Sequence, residues 1–391
     1  MLPYTESFGV FVPDTTFGIG AIDKLGQKVK AIGSKKVLVL TDEGVVKSGL
    51  LAPVEKALKA EQIDYSLFSG CLPDTPYSLV NKCVKIIREN NYDLLIAVGG
   101  GSVLDTVKVA SVAVTADGTV ADLVGAEKVK RPGLPKILVP TTAGTAAEWT
   151  WGANVTDDLK EGEHAKKGVW STLLRPNAVI VDMQFTMNLP QKVTAITGID
   201  TLAHGVEPFT SWRSNPVSDM FSSTCIRLVA QNLRSAYGAG NFNIAARYNM
   251  AIAASLGFSS AVSGGGIAHG MAYPLQFATD LSHGEAIAMI LPHVMDFNMV
   301  ADVPKFAQVA GLMGVDPAGL SVQEQALKGI QAVRDLIADV GLTMRMRDYG
   351  VKKEAIPEIV NTVFTNSLNL INLNCRKINK PEMTGIFEAA W

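Results

Sequence analysis

Five consecutive apolar residues, 94–98 (LLIAV), run straight into Gly99, Gly100, Gly101 and Ser102. A run without a polar face makes a strand that must be covered on both sides, which is the situation of a parallel strand sandwiched between helices. The same signature recurs at 37–40 (VLVL), and strands are also expected at 8–11, 65–68, 135–140 and 177–181. Helical patterns fall between them, after the turn that opens TTFGIGAIDKLGQKV and over 50–61, 78–90 and 102–114. Strict alternation of strand and helix predicts a Rossmann-like parallel sheet.

Past Pro190 the short β-branched runs disappear and long amphipathic patterns take over, at 192–207, 216–238, 243–262, 285–298, 322–340 and 353–362. The expected organisation is therefore an α/β domain over 1–187 and an all-α domain over 188–391, with the boundary at 182–190. With 391 residues, 48% hydrophobic and 18% charged, the chain has ample material for two buried cores and is not a disordered one. Net charge is −2 with Lys and Arg scattered, so neither a nucleic-acid partner nor a membrane surface is expected. No apolar run reaches membrane-spanning length, and the opening MLPYTESFGVFVPDTT lacks the basic-then-apolar order of a secretory signal. Four cysteines (71, 83, 225, 375) without CxxC spacing read as reduced thiols of a cytoplasmic protein.

The glycine run is the first candidate for chemistry. Glycines let a backbone come close to a pyrophosphate, and the following helix offers free N–H groups and the positive end of its dipole. The spacing is not GxGxxG, and a tight strand-to-helix turn explains the same residues without a ligand. Asp42, at the end of the 37–40 strand, suits a ribose 2′-hydroxyl and would repel a 2′-phosphate, favouring NAD over NADP; an Asp capping the next helix fits the position equally well. A second post-strand loop, Pro140-Thr-Thr-Ala-Gly-Thr145, offers hydroxyls and amides to a nucleotide.

The second candidate is a metal centre. Asp200 and His204 lie four apart on one expected helix and so share a face. Alone, such a pair is more often a polar helix residue and a core histidine. His269, in GIAHGMAYP, and His283, in LSHGE, change that reading, since one carboxylate and three imidazoles suit Fe²⁺ or Zn²⁺. Ser282 and Glu285 form a capping box that places His283 in a first helical turn. His293, inside an apolar helix, reads as a core residue, and His164, in DDLKEGEHAKK, as a solvated loop residue.

Taken together these segments resemble the iron-containing (group III) alcohol dehydrogenases over nearly the whole chain. Residues 99–108 resemble that family's GGGSxxDxAK segment, 140–148 its PTTAGTGSE loop with Glu148 at the acidic end, 198–204 its GxDxxxH helix, and Asn374-Cys-Arg376 its NPR tail. The resemblance implies the dehydroquinate synthase-like fold with an active site in the cleft between its domains. It also implies metal ligation by Asp200, His204, His269 and His283, with Fe²⁺ the first choice and Zn²⁺ the second. Asp42, Asp74, Gly99, Gly100, Gly101, Ser102, Thr141, Thr142, Thr145 and Lys166 would contact NAD(H), with Lys167 an alternative to Lys166. The implied activity is hydride transfer between a small primary alcohol and its aldehyde, in a homo-oligomer of two or more subunits.

The chain departs from the family where a histidine commonly follows the third ligand by four residues. Tyr273 stands there, and its hydroxyl is the candidate proton relay. Ala146 and Ala147 replace the Gly-Ser of the threonine loop, and Trp149 and Trp151 follow. Three other readings stay open: a hydroxyacid–oxoacid transhydrogenase, whose nucleotide never leaves; a related-fold lyase using NAD and metal transiently; and a structural or assembly protein.

Overall fold

A computed structural model describes residues 9–159, 165–279 and 281–391. Six strands form one wholly parallel sheet: β1 (Thr15–Phe17), β2 (Val37–Leu40), β3 (Tyr65–Phe68), β4 (Leu94–Gly99), β6 (Lys136–Pro140) and β9 (Ala178–Val181), in the order β1-β9-β6-β4-β2-β3. The first strand begins at Thr15, and residues 9–11 of the expected 8–11 strand carry no regular structure; Phe8 lies outside the described residues. β2, β4, β6 and β9 are buried at every position. Alternate side chains enter two cores: Leu38, Leu40, Leu95, Ala97 and Leu138 on one face, Val37, Val39, Leu94, Ile96 and Val98 on the other. The unbroken apolar runs thus have the physical cause assigned to them, cover on both faces. The covering helices are α1 (Leu25–Ile32), α2 (Glu43–Lys47), α3 (Leu51–Ala60), α4 (Tyr77–Asn90) and α5 (Gly101–Ala113).

A second sheet joins β5 (Gly125–Ala126), β7 (Gly152–Asp157) and β8 (Ala165–Trp170) in the order β5-β8-β7, with β7 and β8 antiparallel. Its strands had no clear signature, because the intervening residues are charged and the flanking ones Gly- and Trp-rich. His164 lies outside the described residues.

Among the described residues eleven α-helices follow: α6 (Gln191–Thr210), α7 (Pro216–Ala239), α8 (Ile244–Leu256), α9 (Ser259–Ser263), α10 (Ile267–Phe277), α11 (His283–Met299), α12 (Val303–Leu312), α13 (Val322–Asp339), α14 (Ile356–Asn366), α15 (Leu368–Ile371) and α16 (Lys380–Ala389). The single helix expected at 243–262 is two, broken at Gly257-Phe258. The chain divides into two compact units, one of Phe11–Thr142 and Ala146–Asn188, the other containing Ala143–Thr145 and Leu189–Trp391. Within the helical unit α6 is central. Ala195, Ile199, Leu202 and Val206 enter one core with residues of α7, α10, α11 and α13. Gly198 and Gly205 lie against Leu233 and Ile226 of α7, where a β-carbon would collide. Among the described residues no single helix is long and apolar enough to cross a membrane.

Candidate active site

In an open parallel sheet a ligand site is expected where successive connections leave in opposite directions, outside the carboxyl ends of the strands. Here β3 lies on one side of β2, whereas β4, β6 and β9 lie on the other, so the switch falls between β2 and β4. The carboxyl ends of these two strands carry Thr41-Asp42 and Gly99 to Ser102. Thr41 Oγ1 donates to Val98 O at 2.7 Å, pinning them side by side. Gly100 is the N-cap of the 13-residue α5 and has no side chain to place over the helix end. A β-carbon there would stand 3.3 Å from Thr142 Cγ2 and 3.4 Å from its Oγ1, so Gly100 and the threonine loop adjoin. Thr141 N donates to Gly99 O at 3.0 Å.

Asp42 caps α2, accepting from Val45 N at 2.9 Å through Oδ1. Asp74 sits at φ 58°, in the left-handed region. Its N–H donates to Ser102 Oγ at 3.1 Å, and its carboxylate takes Lys166 Nζ at 3.3 Å. Asp74, Ser102 and Lys166 therefore meet at the start of α5. The neighbouring lysine is engaged elsewhere: Lys167 Nζ reaches Asp157 Oδ2 at 2.8 Å, as side-chain alternation along β8 requires.

Two motif residues without an assigned role prove to be architectural. Lys108 is fully buried. Its Nζ donates to Ala147 O at 2.9 Å, to Thr150 Oγ1 at 3.1 Å and to Gly152 O, and it lies 3.5 Å from Asp105 Oδ1. Asp105 Oδ2 accepts from Asn154 N at 2.8 Å. Burial pushes the Asp105 carboxyl up and the Lys108 ammonium down, and each opposes the shift of the other. Together they fasten the 147–154 segment to α5. Ala146, in that same loop, is fully buried at φ 53°, a left-handed conformation. A glycine is at ease there and an alanine is strained.

The metal candidates converge in the helical unit. Around Asp200 Oδ1 stand His269 Nε2 at 3.4 Å, His283 Nε2 at 3.7 Å and His204 Nδ1 at 3.8 Å. One donor atom each from Asp200, His269 and His283 lies within 4.8 Å of the others. The His204 ring stands 4.4 Å from that of His269. α6 supplies Asp200 and His204 one turn apart. α10 presents His269 in its first turn, after Gly264-Gly265-Gly266. α11 presents His283 at its first position, where Ser282 N and Oγ donate to Glu285 Oε2 at 2.9 and 2.6 Å in the expected capping box. His293 is half-buried further along α11, outside the cluster.

Asp200 Oδ1, His204 Nδ1 and His269 Nε2 are buried and make no hydrogen bond. Facing one another unsatisfied, such atoms are costly unless something shared lies between them, and with His283 Nε2 beside them they make one oxygen and three imidazole nitrogens, the donor chemistry of a first-row divalent cation. The residues fit a metal. Burial alone would raise the Asp200 pKa, but the imidazoles of His204, His269 and His283 hold it well below the usual carboxylate range. Burial opposes a charge on His269, yet Glu207 and Asp200 outweigh it and raise its pKa to about 10. His204, for which burial dominates, is shifted down. Tyr273, one turn beyond His269, stacks on His283 with ring centroids 5.1 Å apart and planes at 15°.

Sequence reasoning missed Glu207. Its Oε2 pairs with His269 Nδ1 and its Oε1 accepts from Ala268 N at 2.6 Å. The available signal was the spacing: Asp200, His204 and Glu207 occupy i, i+4 and i+7 of one helix face.

The profile described as "Iron-containing alcohol dehydrogenase" matches residues 13–183, and that of "Fe-containing alcohol dehydrogenase family, C-terminal" matches 194–391. Long-chain-alcohol dehydrogenase 1 of Geobacillus thermodenitrificans (strain NG80-2) is 34% identical over 98% of this chain and 96% of its own length. The 1,3-propanediol dehydrogenase of Citrobacter freundii is 35% identical over 98% and 99%. Among solved structures, 1,3-propanediol oxidoreductase superposes with a TM-score of 0.94 at 34% identity, covering 99% of this chain and 100% of that one. The parallel-sheet unit and the helical unit are the two parts of a dehydrogenase, and the chain belongs to the iron-containing alcohol dehydrogenase family. It is an oxidoreductase interconverting alcohol and aldehyde, in a family that works with NAD(H) and a divalent metal.

Proposed function

We propose that the chain transfers hydride between a small primary alcohol and NAD⁺, and back from NADH to the aldehyde, with Asp200, His204, His269 and His283 holding Fe²⁺ in preference to Zn²⁺. The observation that carries this reading is the trio of buried, unsatisfied donor atoms on Asp200, His204 and His269. Bound there, a divalent ion supplies a Lewis acid for the reacting oxygen. The chain's own residues do the rest. Gly99, Gly100, Gly101 and Ser102 receive the pyrophosphate on backbone N–H groups at the head of α5. Thr141, Thr142 and Thr145 line the nucleotide, Asp42 takes the ribose hydroxyls and selects NAD over NADP, and Asp74 with Lys166 fixes the polar end of the site. Tyr273, whose ring lies against His269 and His283, passes on the proton of the substrate hydroxyl. Residues 1–187 act as the nucleotide domain and 188–391 as the metal domain. Four free thiols, three of them buried, fit a place in the cytoplasm, and the chain acts there as a homo-oligomer of two or more copies.

The test is anaerobic reconstitution of metal-free protein with Fe²⁺, Zn²⁺ or Mn²⁺, following NADH against short alcohols, diols and their aldehydes. Metal-dependent NADH turnover, highest with Fe²⁺ and at least tenfold lower with NADP(H), is expected. Equal turnover without added metal would sink the reading.

A further inference from the structure

We infer that Glu207 is the positioning residue for the metal centre: it fixes the tautomer and the angle of His269, and Gly266 is glycine to admit its carboxylate. The inference rests on the proposed metal site. Glu207 is buried on α6 and uses both oxygens on α10, Oε1 for Ala268 N–H at 2.6 Å and Oε2 for His269 Nδ1. A carboxylate only accepts, so Nδ1 carries a hydrogen in either charge state of the ring, and with an ion bound Nε2 gives up its own proton and offers its lone pair. That Nε2 is the atom facing Asp200 Oδ1 at 3.4 Å. One side chain thereby orients the first turn of α10 and the imidazole it presents. A ligand histidine backed in this way is a better donor, and loss of the backing group costs about 10–100-fold in metal affinity.

Gly266 gives the independent observation. Its φ of −133° and ψ of −172° are extended values open to any residue, so glycine is not there for backbone freedom. A β-carbon at this position would stand 2.5 Å from Glu207 Oε1 and 2.8 Å from Cδ. The start of α10 is therefore shaped around the carboxylate.

Glutamine at 207 offers one acceptor and one NH₂ in place of two acceptors. If the amide oxygen stays with Ala268 N–H, the NH₂ faces Nδ1, and the imidazole must move its hydrogen to Nε2, the metal-facing atom. Glu207→Gln is thus expected to weaken Zn²⁺ binding about 10–100-fold in competition with a chromophoric chelator and to shift the visible bands of the Co²⁺-substituted protein. Gly266→Ala, acting only by displacing the carboxylate, should give the same phenotype, and the double variant should be no weaker than the weaker single one. Far-UV circular dichroism reports folding throughout. Zn²⁺ affinity within about threefold of wild type in a folded Glu207→Gln protein overturns the inference, as does a lowered melting temperature with an unchanged Co²⁺ spectrum, which marks a purely structural carboxylate. If Glu207→Gln does not fold, Gly266→Ala decides by the same two readouts, and failure of both to fold overturns the inference too. Wild-type protein that binds neither ion defeats the metal reading itself, a distinct result.

Discussion

Replacing Lys108 by methionine keeps an unbranched stem one atom shorter and removes its charge and donors. The ammonium is fully buried and donates to Ala147 O, Thr150 Oγ1 and Gly152 O beside Asp105. Breaking a buried pair from one side costs about 3–5 kcal/mol, because the other charge is left uncompensated. At about 3 kcal/mol, local opening of the 147–154 segment becomes about 100-fold more frequent. Removing the stranded charge as well, in Lys108→Met/Asp105→Asn, should recover about half, since two carbonyls still lack their donor at about 1 kcal/mol or more each. Acid should partly rescue the single variant. Burial raises the Asp105 pKa in the folded state above its ordinary 3.8 even beside Lys108, and losing Lys108 should raise it further. The folded protein then holds a proton that the unfolded chain releases, so stability falls as pH rises from 3.8 through the folded pKa. The double variant should lack that limb. Hydrogen exchange of the 146–154 peptide reports the local opening, and urea unfolding by circular dichroism the global effect. A single variant losing less than about 1 kcal/mol, or a double variant as damaged as the single at pH 7, would refute the account.

Four further outcomes are expected. His269→Ala should cut metal content and lower kcat at least about 100-fold while NADH fluorescence changes little, whereas Gly100→Val, crowding Thr142 and the pyrophosphate, should abolish NADH binding and leave the metal; a His269→Ala protein that loses both contradicts this division. Asp42→Gly should narrow the NAD/NADP ratio of kcat/KM at a stability cost of only a few tenths of a kcal/mol (about 0.3), because glycine is a tolerable N-cap; wild type preferring NADPH would defeat the assignment. Ala146→Gly should be neutral within about 1 kcal/mol, relief of left-handed strain (about 1–2) offsetting lost methyl burial (about 0.8) and added chain entropy (about 0.4–1), while Ala146→Val should cost more than about 2; a Val variant as stable as wild type would show the strain absent. Burial and the nearby Lys108 lower the pKa of Lys136 to about 7 from 10.5, so charging it costs stability that returns as pH climbs from 7 to 10.5; at about 1.4 kcal/mol per pKa unit, less the lost bond to Leu173 O, Lys136→Met should raise the unfolding free energy by about 3–4 kcal/mol at pH 7 and by nothing at pH 11, as urea titrations would check.

The parallel sheet was readable because 37–40 and 94–98 have no polar face, and only cover on both sides explains such runs. β7 and β8 were not readable, since their partners are chosen by side chains of α5 that a local pattern does not reveal: Asp105 fixes Asn154, and Lys108 fixes Gly152. Likewise α10 was hidden by three leading glycines and by Pro274 inside it. The donors of the proposed metal site could be named from histidine scarcity and spacing, because few residue types bind such ions. Spacing put Glu207 on their helix face, but its role is set by a partner 62 positions away. Position alone left Asp42 between two duties, and the structure gives it the cap while the ribose role stays a proposal.

The helix that begins with His283 is fastened at both ends. Its start is closed by Ser282 and Glu285, and near its finish Asn298 and Asn374 exchange two amide hydrogen bonds of 2.7 and 2.8 Å. Arg376 adds a bond to Phe297 O at 2.7 Å. Seventeen residues at about 1.5 Å each make a strut of about 25 Å, held from the tail of the chain. At the proposed metal site, an imidazole mounted on such a strut should keep its place when the ion departs. Little ordering entropy is then spent on reloading, and a departing ion can be replaced by a different one without refolding. Exchange between Fe²⁺ and Zn²⁺ at the proposed site should then follow the ion's own off-rate rather than a motion of the protein.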